Sequence, residues 1–85
     1  VILVVGMRLG CINHALLTVE AIRRDGLQIA GWVANQPGPR MPRHEENVDT
    51  LRQMLPAPLL GDVPFLSRWD ANEAAKHFNI QRLIE

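Results

Sequence analysis

The chain has 85 residues, 47% of them hydrophobic and 21% charged, which is typical of a globular protein and not of a disordered or fibrous one. Nine basic and nine acidic residues give a net charge of zero, so no broad positive field attracts nucleic acid or an anionic membrane. The single cysteine, Cys11, excludes an internal disulfide and a multi-cysteine metal site, and it is consistent with a reducing cytoplasm.

The apolar run VILVV at residues 1–5 predicts a strand that is buried on both faces, as in a parallel sheet. The run is too short to span a bilayer, and it lacks the flanks of a signal peptide. Burying both faces requires sheet neighbours and helices on either side. The remaining sequence is too short to supply all of them, so we expect a truncated chain.

A turn at residues 7–10 leads into a predicted helix at residues 12–25. Its apolar positions recur at helical spacing on one face: Ile12, Ala15, Leu16, Val19 and Ile22. On the outer side, Glu20 and Arg24 are spaced as an i,i+4 ion pair. Gly26 suits the left-handed position that follows a helix.

Two further strand–helix units are predicted. Residues 28–34 form the second strand, and a second helix follows with Pro42 in its first turn and with Glu45 and Glu46 near its positive N-terminal end. The apolar stripe of that helix consists of Val48, Leu51 and Leu55. A third strand spans Leu59–Val63. The tail at residues 72–85 predicts one or two short helices, with the packing residues Ala74, Ala75, Phe78, Leu83 and Ile84.

The alternation of strands and helices indicates an α/β domain with a parallel sheet and right-handed crossovers. In such a sheet the loops at residues 7–10, 35–42 and 64–67 emerge at the same edge. Ligands bind at the carboxyl edge of open α/β sheets. We therefore expect any binding site to lie among these three loops.

Three segments resemble a known family. The run VVGMRLGCINHA at residues 4–15 closely resembles the dethiobiotin synthetase pattern V-V-G-x-[KR]-L-G-C-I-N-H-[AT], and GWVAN (31–35) and PAPLLGDVPF (56–65) match two further segments in the expected order. The resemblance implies a P-loop NTPase-like (Rossmann-like) three-layer fold. No G-x-x-x-x-G-K-[ST] phosphate loop occurs, and Lys76 is the only lysine. We expect residues 1–85 to be the C-terminal part of a single domain whose N-terminal P-loop portion is absent.

The resemblance also implies an activity. Enzymes of this family join 7,8-diaminopelargonate to CO2, activate the carbamate with ATP and close the ureido ring of dethiobiotin, releasing ADP and phosphate, in biotin biosynthesis. The resemblance further implies that the enzyme uses Mg2+, forms a homodimer and is located in the cytoplasm. The catalytic residues and the magnesium ligands are expected in the absent portion, so we expect this chain alone to be inactive.

The first motif supplies a candidate anion site at Leu9, Gly10, Cys11 and Asn13, between a strand and a helix. Backbone N–H groups and the helix dipole favour an anion there, and a glycine allows close approach. By resemblance, this turn holds the substrate carboxylate across a dimer interface. The alternative is an ordinary strand–helix turn in which Asn13 caps the helix.

The other two motifs supply candidate ATP contacts. By resemblance, the Asn35 amide, which both donates and accepts hydrogen bonds, and the following Gln36 contact the nucleotide. Gln36 departs from the aspartate that the family leads us to expect. Pro64, Phe65 and Leu66 would form an apolar wall around the adenine or ribose, with Phe65 where the family more often has tryptophan. The alternative role for Asn35 is turn formation.

Other chemistry-bearing residues favour structural roles. Cys11 could be a nucleophile with His14 or His44 as its base, but the sequence shows no histidine–acid arrangement, and the three histidines lack metal-ligand spacing. Trp32 and Trp69 are interpreted as packing residues.

Two alternatives from other functional classes stay open at this point. A related P-loop partition or positioning ATPase would show a phosphate loop with a second lysine upstream, whereas the run LGCINH at residues 9–14 argues against it. A non-catalytic nucleotide-binding module would be encoded by this segment alone, between its own start and stop codons.

Overall fold

The computed structural model describes residues 1–66 and 70–79. Within these residues three strands alternate with three helices: Ile2–Gly6 (β1), Cys11–Arg24 (α1), Gly31–Asn35 (β2), His44–Met54 (α2), Leu59–Val63 (β3) and Ala71–Ala75 (α3). The predicted order of elements is confirmed. The loop end at Ser67 and the packing residues Trp69, Leu83 and Ile84 lie outside the described residues.

The three strands form one parallel sheet in the order β1-β2-β3, which confirms the predicted α/β class. Ile2 pairs with Gly31 at one end of the first ladder, and Gly6 pairs with Asn35 at the other. The second ladder shifts register between Trp32 and Val33 and then continues to its carboxyl end. Because all strands run in the same direction, their carboxyl ends share one edge.

The main core lies between the sheet and the two longer helices, α1 and α2. It is built from the alternate residues of β1 and β2 and from the apolar stripes of both helices. The buried members are Leu3, Val5, Met7, Cys11, Ala15, Val19, Trp32, Ala34, Val48, Leu51 and Leu55. Trp32 has 0% exposure, so its predicted packing role is confirmed.

The opposite face of the sheet is only partly covered. Val33, Leu60 and Val63 pack there with Ala74 of α3, which supplies the third layer above β2 and β3. Within the described part of this chain only one face of β1 is buried, because α1 and α2 both pack on that side. This agrees with the expectation that these residues are too few to cover both faces of the strand. Ile2 is 48% exposed and Val4 is 61% exposed. In the tail, Ala75 and Phe78 are exposed, so the packing role predicted for these two residues is wrong.

Local signals at the end of α1 are confirmed. Gly26 has φ 78°, and its amide donates to the Arg23 carbonyl at 3.0 Å. The Leu27 amide donates to the Ile22 carbonyl at 3.2 Å, which completes a Schellman motif. The predicted ion pair between Glu20 and Arg24 is present at 3.0 Å on the exposed side of the helix.

Two predicted boundaries shift by two residues or more. β2 begins at Gly31 and not at residue 28. Pro42 lies outside α2, because Arg43 takes a left-handed conformation (φ 61°) at the N-cap and the helix begins only at His44. Glu45 and Glu46 occupy the first turn, as predicted. No helix in residues 1–66 or 70–79 is long and apolar enough to cross a membrane.

Candidate functional site

Backbone hydrogen bonds tie the three strand-end loops to one another. The Met7 amide donates to the Asn35 carbonyl at 2.7 Å, and the Gln36 amide donates to the Val63 carbonyl at 2.9 Å. These bonds extend the two parallel ladders by one step beyond the strands. The predicted meeting of the loops at one edge of the sheet is therefore confirmed.

The turn before α1 leaves backbone donors free. Gly10 is the N-cap residue, with φ 86° and no side-chain cap, so the alternative in which Asn13 caps the helix is wrong. The Cys11 amide donates to the Arg8 carbonyl at 3.0 Å. Within the described part of the chain, the amides of Ile12 and Asn13 have no hydrogen-bond partner. Because the first turn carries no acidic residue, these two N–H groups remain available to an anion.

A cavity of about 490 Å³ lies beside this turn, over the uncovered side of β1. Val4 supplies an apolar surface in it, while Arg8 and His14 supply polar and cationic groups. Leu9 also lines the cavity and is 95% exposed. The cavity combines an apolar wall with a guanidinium, and the two free N–H groups lie in the adjoining first turn of α1. Together these groups suit an aliphatic carboxylate.

Cys11 is a core residue at the first position of α1. Its exposure is 4%, and it packs in the main cluster. A buried thiol in apolar surroundings is chemically inert. The structure therefore agrees with the packing role that the sequence favoured over a nucleophile.

The residues predicted to contact the nucleotide lie where β2 and β3 end. Asn35 pairs with Val63 in the ladder, so Asn35 and Gln36 lie beside the start of the third loop. Both are partly exposed. In that loop Phe65 is 49% exposed, which leaves its ring accessible to a ligand, and Leu66 packs against the second cluster. Pro64, which precedes both residues, is half-buried.

Sequence reasoning missed a polar cluster at this edge, which we call the His44–Asp62–Gln36 cluster. The Nε2 atom of His44 lies 3.0 Å from both carboxylate oxygens of Asp62, and the Gln36 amide nitrogen donates to Oδ1 of Asp62 at 3.3 Å. The sequence shows no histidine–acid arrangement, but the fold forms one between His44 and Asp62. An available signal was the charged residue inside the otherwise apolar third strand.

The described residues supply no metal site. No group of three or more His, Cys, Asp or Glu side chains converges in residues 1–66 and 70–79. The Asp62 carboxylate is paired with a histidine and an amide and has no further acidic neighbour in the cluster. The arrangement does not fit the all-oxygen set that Mg2+ prefers.

Comparison with known protein families identifies the family of this chain. A family model described as an AAA domain matches residues 1–73. The chain belongs to this AAA domain family. Membership agrees with the parallel α/β sheet and with the P-loop NTPase-like class predicted from sequence.

Several curated relatives of this chain share the name ATP-dependent dethiobiotin synthetase. The protein of Cellvibrio japonicus is 59% identical over 100% of this chain and 37% of its own length. The protein of Escherichia coli K12 is 52% identical over 98% of the chain, and that of Tolumonas auensis is 44% identical over 99%. The resemblance predicted from the three motifs is confirmed. This chain spans only 37% of these relatives.

Proposed function

We propose that this chain is the C-terminal part of a dethiobiotin synthetase domain and supplies its substrate-carboxylate and nucleotide-base contacts. The full reaction joins 7,8-diaminopelargonate to CO2 and closes the ureido ring of dethiobiotin with release of ADP and phosphate. The observation that carries the proposal is the uncapped turn before α1, which opens onto the cavity lined by Arg8 and His14.

The substrate half of the proposal rests on chemical match. Diaminopelargonate carries a carboxylate at the end of an aliphatic chain. The free amides of Ile12 and Asn13 suit the carboxylate, and the apolar surface at Val4 suits the chain. The turn that carries these amides consists of Leu9, Gly10, Cys11 and Asn13. We propose that it binds the substrate carboxylate across a homodimer interface.

The nucleotide half rests on neighbouring loops at the same edge. The Asn35 amide can donate to and accept from the adenine edge, while Gln36 lies next to it. Pro64, Phe65 and Leu66 provide an apolar surface against which a purine can pack, with the exposed ring of Phe65 as its largest element.

The described residues contain no phosphate loop and no metal cluster. We propose that the catalytic residues and the ligands of Mg2+, which would neutralise phosphate charge, belong to the portion of the relatives that this chain does not match. The chain alone would then be inactive, and the whole enzyme would work in the cytoplasm. The relatives' shared name favours this ligase over the partition ATPase and over a non-catalytic module.

A chimera tests the proposal. In it, these 85 residues replace the matching segment of the Cellvibrio japonicus relative, which is 59% identical over that segment. We expect the chimera to form dethiobiotin from 7,8-diaminopelargonate, CO2 and ATP, and the chain by itself to form none. A folded chimera that binds neither ATP nor the diamine would overturn the proposal. The unmodified relative is the matched control.

A further inference from the structure

The orientation of the Gln36 side chain is set by Asp62. A glutamine amide has a donor end and an acceptor end, and either can face a ligand. Here Nε2 donates to Oδ1 of Asp62 at 3.3 Å. An ionised carboxylate only accepts hydrogen bonds, so the NH2 end must face it. Among the described residues, Oε1 of Gln36 has no hydrogen-bond partner.

Asp62 is in turn held by His44. The histidine side chain is 1% exposed at the start of α2, whereas that of Asp62 is 39% exposed. Because Nε2 faces two carboxylate oxygens at 3.0 Å each, it must carry the proton. Nδ1 of the ring is buried without a partner in the described part of the chain. The Asp62 contact is therefore the polar anchor of the ring.

The side chain at position 36 matters for this arrangement. By resemblance, an aspartate is expected there, but a second carboxylate would face Asp62 with like charge. A neutral amide relieves that repulsion and gains a donor. The cluster thus pairs a buried histidine on α2, a fixed carboxylate on β3 and an amide in the second loop.

We propose that the His44–Asp62 pair is a positioning device that turns the Oε1 acceptor of Gln36 toward the nucleotide base. It would favour a base whose edge donates a hydrogen bond, such as the 6-amino group of adenine. The inference rests on the proposed function, because it takes Gln36 to contact the purine. Gln36 is then the specificity-determining contact, and His44 and Asp62 act through it.

The test measures affinity for ATP and for purine riboside triphosphate, which lacks the 6-amino group, in the chimera described above. In Asp62→Asn, residue 62 can donate as well as accept, so the Gln36 amide is free to turn over. We expect the ATP preference to fall about tenfold, the worth of one hydrogen bond. Asp62→Glu keeps the carboxylate and should restore most of the preference. Asp49→Asn removes an exposed acid from α2 and should leave the preference unchanged.

The outcomes separate this inference from the function on which it rests. If Asp62→Asn lowers the affinity for both nucleotides equally, the His44–Asp62 pair has only a structural role. The inference is then wrong, while the ligase assignment stands. The same holds if the unmodified chimera does not distinguish the two nucleotides. A chimera that binds neither contradicts the proposed function itself. Should Asp62→Asn fail to fold, Gln36→Met removes the acceptor directly and must give the same loss of ATP preference.

Discussion

His44 and Asp62 join the first turn of α2 to the third strand, with Nε2 of the histidine 3.0 Å from each carboxylate oxygen. The two residues are 18 positions apart in the chain. The ring is almost fully buried, whereas the carboxylate reaches the surface at the edge where the loops meet. The contact therefore connects the packing of a helix with the geometry of the candidate nucleotide site.

Removing the carboxylate should destabilise the fold. Asp62→Ala leaves the buried Nε2–H of His44 without a partner, which costs roughly 1–3 kcal/mol of unfolding free energy. Urea unfolding of the chimera measures the loss. The control is Glu20→Ala, which breaks the exposed pair with Arg24 and should cost about 1 kcal/mol or less. An equal loss of unfolding free energy in the two variants would show that the buried pair contributes no more stability than the exposed pair.

A second prediction concerns the core beneath α2. Leu51 has 0% exposure, so Leu51→Ala removes buried methyl groups and leaves a cavity, at a cost of about 2–5 kcal/mol. Met54, in the same helix, is 50% exposed, and Met54→Ala should change stability by roughly 0.5 kcal/mol or less. The midpoints of urea unfolding of the two chimera variants give the comparison. Similar midpoints would contradict the assigned position of the helix.

Features that depend on a few neighbouring residues could be predicted from the sequence. The left-handed conformation of Gly26 and the pair between Glu20 and Arg24 follow from spacing along one helix. The burial of Leu51 follows from the apolar stripe of another helix. The shared edge of the three loops follows from topology, since parallel strands place their carboxyl ends together.

Features set by three-dimensional packing escaped prediction. Whether Val4 is buried depends on which face of the sheet the helices cover, and both longer helices pack on the other face. The contact between His44 and Asp62 depends on the register of β3, which shifts within the ladder. Likewise, only the fold of the loop shows that the Cys11 amide already donates a hydrogen bond to the Arg8 carbonyl.

The assignment of Asn35 to the nucleotide yields a third prediction. In the chimera, Asn35→Ala removes a side-chain amide that donates and accepts, so ATP affinity should fall about tenfold. Diamine binding should be spared, because the free amides of the first loop are untouched. Titration of each ligand separately measures the two affinities. Asn72→Ala, at an exposed position in α3, is the control and should alter neither. An equal loss for both ligands would count against the assignment.

The two ends of α1 offer a matched pair of glycines for the last prediction. Gly10 has φ 86° and Gly26 has φ 78°, and an added Cβ would meet no atom within 4 Å at either position. Alanine at each site therefore costs backbone strain alone, roughly 1–2 kcal/mol. Only Gly10 shapes the turn whose free amides would hold the carboxylate. We expect both variants to lose similar stability in urea, while only Gly10→Ala raises the KM of the chimera for the diamine. The anion site would have to lie elsewhere if Gly26→Ala raised that KM equally, or if Gly10→Ala lowered only the affinity for ATP.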